Sequence, residues 1–185
     1  MRVLPFLAML TAASPVAAQN PFPDVAAEAR DLTFERRQPF AGLNEVGALS
    51  QAWSVNTFYA LFRGRYPEQT VFWAVRRVAG DRQGAQVARW ADSRVCPAVE
   101  TMLLGMEDLP IVRPNAIGLG AEAPNLGLVM DGTWHVFWST SARSGDNNAA
   151  VQLEIQGNVN SPVARWWSES ADALAACWTE TEPGA

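Results

Sequence analysis

The chain of 185 residues contains no lysine, and all 14 of its basic residues are arginine. Enzymes that form a Schiff base with their substrate or with pyridoxal phosphate need a lysine amine, and so does the phosphate-binding P-loop. The sequence therefore excludes these classes of function.

Histidine is also nearly absent, because His135 is the only one in the chain. Zinc sites built from several histidines, including the HExxH motif, are excluded, and a haem or copper site lacks sufficient ligands. A glycine-containing run at 118–123 matches the loose form of a dinucleotide-binding loop, but Pro124 would break the helix that such a loop requires. We therefore expect no metal and no other cofactor.

The chain has fewer basic than acidic residues, 14 arginines and 19 acidic residues, which gives a net charge of −5. Such a chain has no general attraction to nucleic acids or to anionic lipids, so we expect no nucleic-acid partner. Hydrophobic residues make up 49% of the chain and charged residues 18%, a balance typical of a globular protein and not of a disordered one.

Residues 1–18 have the pattern of a secretory signal peptide. Arg2 gives a positive start, an apolar run follows at 3–13, and small residues at 16–18 precede the expected cleavage site. The run is too short to span a bilayer as a helix of the mature protein, and no other stretch approaches that length. We expect a mature protein that is periplasmic or secreted and has no transmembrane segment. The alternative is a buried first helix.

The chain has two cysteines, Cys96 and Cys177, which lie 81 positions apart. An even pair in an exported protein is normally a disulfide, and we predict one here. The alternative is a reactive thiol, but there is no CxxC motif, and His135 is the only histidine that is available to activate a thiolate.

The first part of the mature chain is predicted to lie outside the main domain. Residues 19–47 form an N-terminal arm with a possible surface helix at 24–37 and a loop at 39–47. A single domain is expected over residues 48–185.

The first half of this domain reads as strands followed by a helix. β-branched and aromatic residues favour a strand at 48–62, although a helix face also fits there. A second strand is predicted at 70–78, and turn residues lead from it into a third strand that ends at Trp90. From Pro97 onward, apolar residues recur at helical spacing.

The second half repeats this order. Asp131-Gly132 between apolar runs at 126–130 and 133–140 is typical of a type I′ hairpin. Alternation at 151–156 predicts a strand with one buried face, and Ser161-Pro162 predicts the start of the last helix. Neither hairpin requires a parallel crossover. We therefore expect an α+β fold, a two-layer antiparallel sheet with helices packed on one face.

Tryptophan is unusually frequent, with eight in the chain. A small domain can hardly bury eight such rings completely, and exposed rings stack on sugars or anchor partner proteins. Most of the eight are expected in or beside the core. Trp134, Trp166 and Trp167 are the candidates for ligand binding.

Two further residues are candidates for chemistry. His135 is a possible general base, but we expect a partly exposed strand histidine that shares a face with Phe137. Glu154, on the polar face of its strand, is the first choice for a carboxylate of glycoside hydrolysis.

These observations leave several functions open. The leading hypothesis is a non-catalytic exported module that binds a protein or a glycan of the cell envelope. One alternative is a small envelope hydrolase that uses carboxylates. Another is an acidic inhibitor of a basic hydrolase such as lysozyme, which charge complementarity would favour.

Overall fold

A computed structural model describes residues 20–36, 38–81, 84–110, 132–144 and 149–184. They form three helices and six strands in a single sheet, in the chain order α1 (Phe22–Arg36), β1 (Ala41–Gly47), β2 (Trp53–Arg63), β3 (Thr70–Gly80), β4 (Gln86–Asp92), α2 (Ala98–Glu107), β5 (Thr133–Ser144), β6 (Ala149–Gly157) and α3 (Pro162–Ala173).

The sheet is antiparallel throughout, with the strand order β4-β3-β2-β1-β5-β6. This arrangement confirms the predicted α+β fold and its antiparallel sheet. The loop predicted at 39–47 is wrong for Ala41–Gly47, because β1 pairs with β2 on one side and with β5 on the other. β1 is therefore a central strand of the same core as the residues that follow it.

The helices cover both faces of the sheet. α1 packs through Ala26 and Ala29 on the face that carries Trp53 and Trp138, whereas α2 and α3 pack on the face that carries Phe137. The prediction that the helices lie on one face therefore holds for α2 and α3 but is wrong for α1. Neighbouring residues of a strand point to opposite faces. Because Phe137 and Trp138 are both large and apolar, each face must be buried by a packed helix.

The predicted helix near the N-terminus is confirmed as α1, but it is anchored and not a simple surface helix. Its Thr33 is fully buried, and the indole N–H of Trp138 donates to the Thr33 hydroxyl at 3.1 Å. The Trp138 ring lies over Gly42 on the neighbouring strand β1, where a Cβ atom would collide with the ring. The absence of a side chain at Gly42 therefore lets Trp138 reach α1.

The predicted disulfide is present. Cys96 lies just before α2 and Cys177 just after α3, with their Cα atoms 5.9 Å apart. The bridge therefore joins the start of α2 to the end of α3. The predicted start of α3 is also confirmed, because the Ser161 hydroxyl accepts from the backbone N–H of Ala164 and a proline follows Ser161.

The predicted hairpin around Asp131-Gly132 is described only in part. Its second arm is found in β5, whose neighbours in the sheet are β1 and β6. Residues 126–130 and Asp131 lie outside the described residues. Within the described ranges, no helix is both long enough and apolar enough to cross a membrane.

Candidate functional site

His135 lies near the start of β5, one strand in from the β6 edge of the sheet, and is only 5% exposed. Its cross-strand neighbours are Glu45 on β1 and Gly157 on β6. It shares a face with Phe137 as predicted, but this face is covered by α3. The expectation of a partly exposed histidine is therefore wrong.

His135 belongs to a polar cluster that is centred on Glu45. The Ser54 hydroxyl donates to the Glu45 carboxylate at 2.6 Å, and His135 Nε2 lies 3.7 Å from its other oxygen. The Arg77 guanidinium is 3.6 Å from the carboxylate. Ser54, Glu45 and His135 are directly opposite one another on β2, β1 and β5, so strand register alone brings these three side chains together.

The surroundings of Glu45 hold its carboxylate in the ionised form. Burial raises its pKa, but His135, Ser54 and the indole N–H of Trp167, together with the positive charge of Arg77, outweigh burial and lower the pKa from 4.5 to about 2. A carboxyl group that acts as a general acid near neutral pH needs a raised pKa. The Glu45 carboxylate is therefore better suited to accept hydrogen bonds between strands than to donate a proton.

The cluster is not fully satisfied by the side chains that surround it. His135 Nδ1 and Asn56 Oδ1 are buried and have no hydrogen-bond partner within the described residues. Such an atom typically costs about 1–3 kcal/mol. The cluster therefore orients three strands at some expense in stability.

Trp166 and Trp167 lie in the core, which contradicts their prediction as exposed anchors. They are 8% and 0% exposed, and both rings contact Phe58. The Trp166 indole N–H donates to the backbone carbonyl of Met102 on α2 at 3.0 Å. The apolar stripe of α3 explains this outcome, because the stripe is the face that packs on the sheet.

Trp134 and Glu154 lie on the opposite face, the one that α1 covers in part. Trp134 is 46% exposed and remains available to a ligand. Glu154 forms an ion pair with Arg30 of α1. The predicted site residues are therefore divided between the two faces of the sheet and do not form one site.

A groove lies between α2 and the β2–β3 ribbon, with a volume of about 400 Å³. This volume falls in the range of small-molecule pockets, roughly 300–1,000 Å³. We call it the α2 groove, and its lining consists of Phe40, Ala60, Trp73, Glu100, Leu103, Leu104, Met106 and Glu107.

α2 contributes most of this lining through one side of its helix. Glu100, Leu103, Leu104 and Glu107 are spaced i, i+3, i+4, i+7, so they form a stripe along the helix. Leu104 is 64% exposed, although it is a large aliphatic residue. The core-facing positions at helical spacing were predicted from the sequence, but this second stripe was missed. The sequence feature that indicates this second stripe is Leu104, a large aliphatic residue that lies beside the core-facing positions of the helix.

The apolar surface continues beyond the groove along the ribbon. Phe62 is directly opposite Val71, and alternation places this pair on the same face as Ala60 and Trp73. Phe62 is 52% exposed and Val71 44%. Contiguous exposed apolar surface of this kind marks interaction sites.

Comparisons with models of known protein families, with curated proteins and with solved structures gave no match. Function must therefore be argued from the surfaces of the molecule. Among the described residues, no group of three or more His, Cys, Asp or Glu side chains is arranged to hold a metal ion.

Proposed function

We propose that this protein is an exported, non-catalytic binding module and that the α2 groove is its binding surface. The observation that carries the proposal is an apolar groove of about 400 Å³ that opens at an exposed apolar ribbon. Export is supported by the pattern of residues 1–18 and by the disulfide between Cys96 and Cys177.

The lining favours a polypeptide segment over a glycan. Sugars are bound by exposed aromatic faces with polar groups around them. The two aromatic rings of this lining, Phe40 and Trp73, are partly buried against the core, and its most exposed apolar side chain is the aliphatic Leu104. The charged residues of the lining are Glu100 and Glu107. The partner that fits is a segment with apolar side chains flanked by arginine or lysine, and the net charge of −5 favours its approach.

The test uses two fluorescein-labelled synthetic peptides with the same leucine-rich centre. One carries lysines at both ends and the other carries glutamates. Fluorescence anisotropy with the oxidised mature protein is expected to show binding of the lysine peptide, at least about tenfold tighter than the glutamate peptide, and weakened by added salt.

Variants then locate the binding surface. Leu104→Ser removes an exposed wall of the groove and is expected to weaken binding several-fold. Leu49→Ser is the matched control, because Leu49 is 78% exposed on the turn between β1 and β2. Glu100→Gln and Glu107→Gln together are expected to reduce the difference between the two peptides. Equal loss in both leucine variants, or no binding of either peptide, would contradict the proposal.

Isolated cell-wall sacculi distinguish the other hypotheses. The protein is incubated with sacculi, and sedimentation and released fragments are measured in the same tubes. Fragment release would show a hydrolase and overturn the non-catalytic proposal. Co-sedimentation that survives Leu104→Ser but not Trp134→Ala would indicate a glycan surface on the opposite face.

A further inference from the structure

The two edges of the sheet differ in how they are covered. At the β4 edge, Trp90 exchanges two backbone hydrogen bonds with Thr179, at 2.7 and 2.8 Å, so the chain beyond α3 covers part of that edge. At the other edge, β6 pairs with β5 and with no second strand of the described residues. Within the part of the chain that the structure describes, the backbone donors and acceptors of β6 (Ala149–Gly157) that point away from β5 are therefore left for a further strand.

The side chains of β6 do little to prevent pairing with another strand. Natural edge strands are protected by proline, by lysine or by inward-pointing charge. The sequence of β6 is AAVQLEIQG, in which Glu154 is the one charged residue. Arg30 neutralises that charge through an ion pair. The edge therefore lacks the usual barriers to strand addition.

We propose that two copies of this chain pair through their β6 edges, antiparallel, about a two-fold axis that passes beside Leu153. The two sheets then join into one continuous sheet. Because the α2 groove lies at the β2–β3 side of the sheet, it stays open in both copies. This proposal does not depend on what the groove binds.

Symmetry selects the register. A two-fold axis perpendicular to the sheet keeps each face on its own side, so opposed residues come from the same face of the two strands. Leu153 is the middle residue of β6, and an axis there pairs the whole strand. Val151 then faces the partner's Ile155, and Gln152 faces the partner's Glu154. Apolar residues meet on one face, and an amide meets a carboxylate on the other.

Neighbouring registers are less favourable. An axis at Glu154 would place two carboxylates directly opposite each other, which destabilises a strand pair. An axis at Gln152 leaves the last two residues of β6 unpaired. The second copy is therefore the partner that this edge fits, since its own sequence is complementary in the full-length register.

The first measurement is the mass of the oxidised mature protein in solution across a micromolar concentration series, by light scattering after size exclusion. A dimer is expected. Leu153→Arg places two like charges at the axis and is expected to give a monomer. Val95→Arg is the control, because Val95 is 78% exposed away from this edge. A native protein that is monomeric at every concentration overturns the proposal.

A cross-linking experiment tests the register, including the case in which Leu153→Arg fails to fold. Directly opposed residues of antiparallel strands have Cα atoms about 4.5–5.5 Å apart, which is within disulfide range. Leu153→Cys is expected to form an intermolecular disulfide under mild oxidation. Ile155→Cys, a half-buried apolar residue on the same face, is expected not to form one, because it faces the partner's Val151. Equal cross-linking of the two variants, or of neither, contradicts the proposed register.

Discussion

At the scale of single residues, Gly42 controls how closely α1 approaches the sheet. A Cβ atom at Gly42 would lie 2.7 Å from Trp138 Cε2 and 2.9 Å from the backbone carbonyl oxygen of Asn56. Trp138 is fully buried and bound to Thr33, so its ring cannot move aside without loss of a hydrogen bond. The position therefore has no space for even the smallest side chain.

We predict that Gly42→Ala lowers the free energy of unfolding by about 1–3 kcal/mol, the usual cost of overpacking a core. Urea denaturation followed by tryptophan fluorescence measures the change. Gly184→Ala is the control, because no atom lies within 4 Å of a Cβ atom there. A loss below about 0.5 kcal/mol, the usual size of a surface effect, would show that the ring adjusts.

The tryptophans show what residue type alone can predict. Their number predicts that several are buried, and Trp138 and Trp167 are indeed fully buried. Which ring stays exposed depends on how much of that face of the sheet a helix covers. Trp134 and Trp138 lie on the same face of β5, yet α1 covers only Trp138. A contact of this kind between distant segments leaves no trace near either residue in the sequence.

At the scale of elements, local signals predicted most of the strands and helices correctly. β2, β3, β4, β6, α2 and α3 have alternation, turn residues or helix starts of their own. β1 was missed because its sequence, AGLNEVG, contains two glycines and an asparagine, which are poor strand formers. It forms through hydrogen bonds on both sides, to β2 and β5. The Glu45 cluster was missed for the same reason, since it depends on the position of β1.

The disulfide acts at this scale as well, because it joins α2 to α3. Closing a loop of 81 residues restricts the unfolded chain by about 4–5 kcal/mol in the chain-entropy model. We predict that the double variant Cys96→Ala/Cys177→Ala loses roughly 2–5 kcal/mol. Because α2 lines the groove, the affinity of the double variant for the lysine peptide is expected to fall as well.

Denaturant unfolding of the double variant is compared with that of the native protein with and without a reducing agent. Reduction is expected to give about the same loss as the double variant, which separates the bridge from any effect of the alanines. A stability change below about 1 kcal/mol in both would contradict the prediction.

At the scale of the whole molecule, the fold class follows from the sequence but the candidate site does not. The order of strands and helices predicts an α+β fold with an antiparallel sheet. The α2 groove requires in addition that α2 lies across the β2–β3 ribbon beside Phe40, which precedes the missed strand. The residues of the groove come from four separate parts of the chain, namely Phe40, β2, β3 and α2, so only the packed molecule brings them together.

The stability of the whole molecule is expected to depend on acid pH through Glu45. Its pKa is lowered to about 2 in the folded protein from 4.5. The unfolded chain therefore binds a proton at a higher pH than the folded protein does. The stabilisation by the ionised carboxylate is complete above about pH 4.5 and is lost as the pH falls towards 2.

Glu45→Gln tests this dependence. We predict a loss on the order of 3 kcal/mol at neutral pH, because Ser54 and Arg77 lose a charged partner, and a flatter decline of stability between pH 4.5 and 2. Glu68→Gln, an exposed carboxylate on the turn between β2 and β3, should keep the native decline. Urea unfolding at several pH values measures both.

If the stabilities of the Glu45→Gln variant and of the native protein declined in parallel, the carboxylate would not be held ionised by the three strands. Since β2, β1 and β5 all contribute to the cluster, a flattened decline would show that the centre of the sheet depends on this one charge.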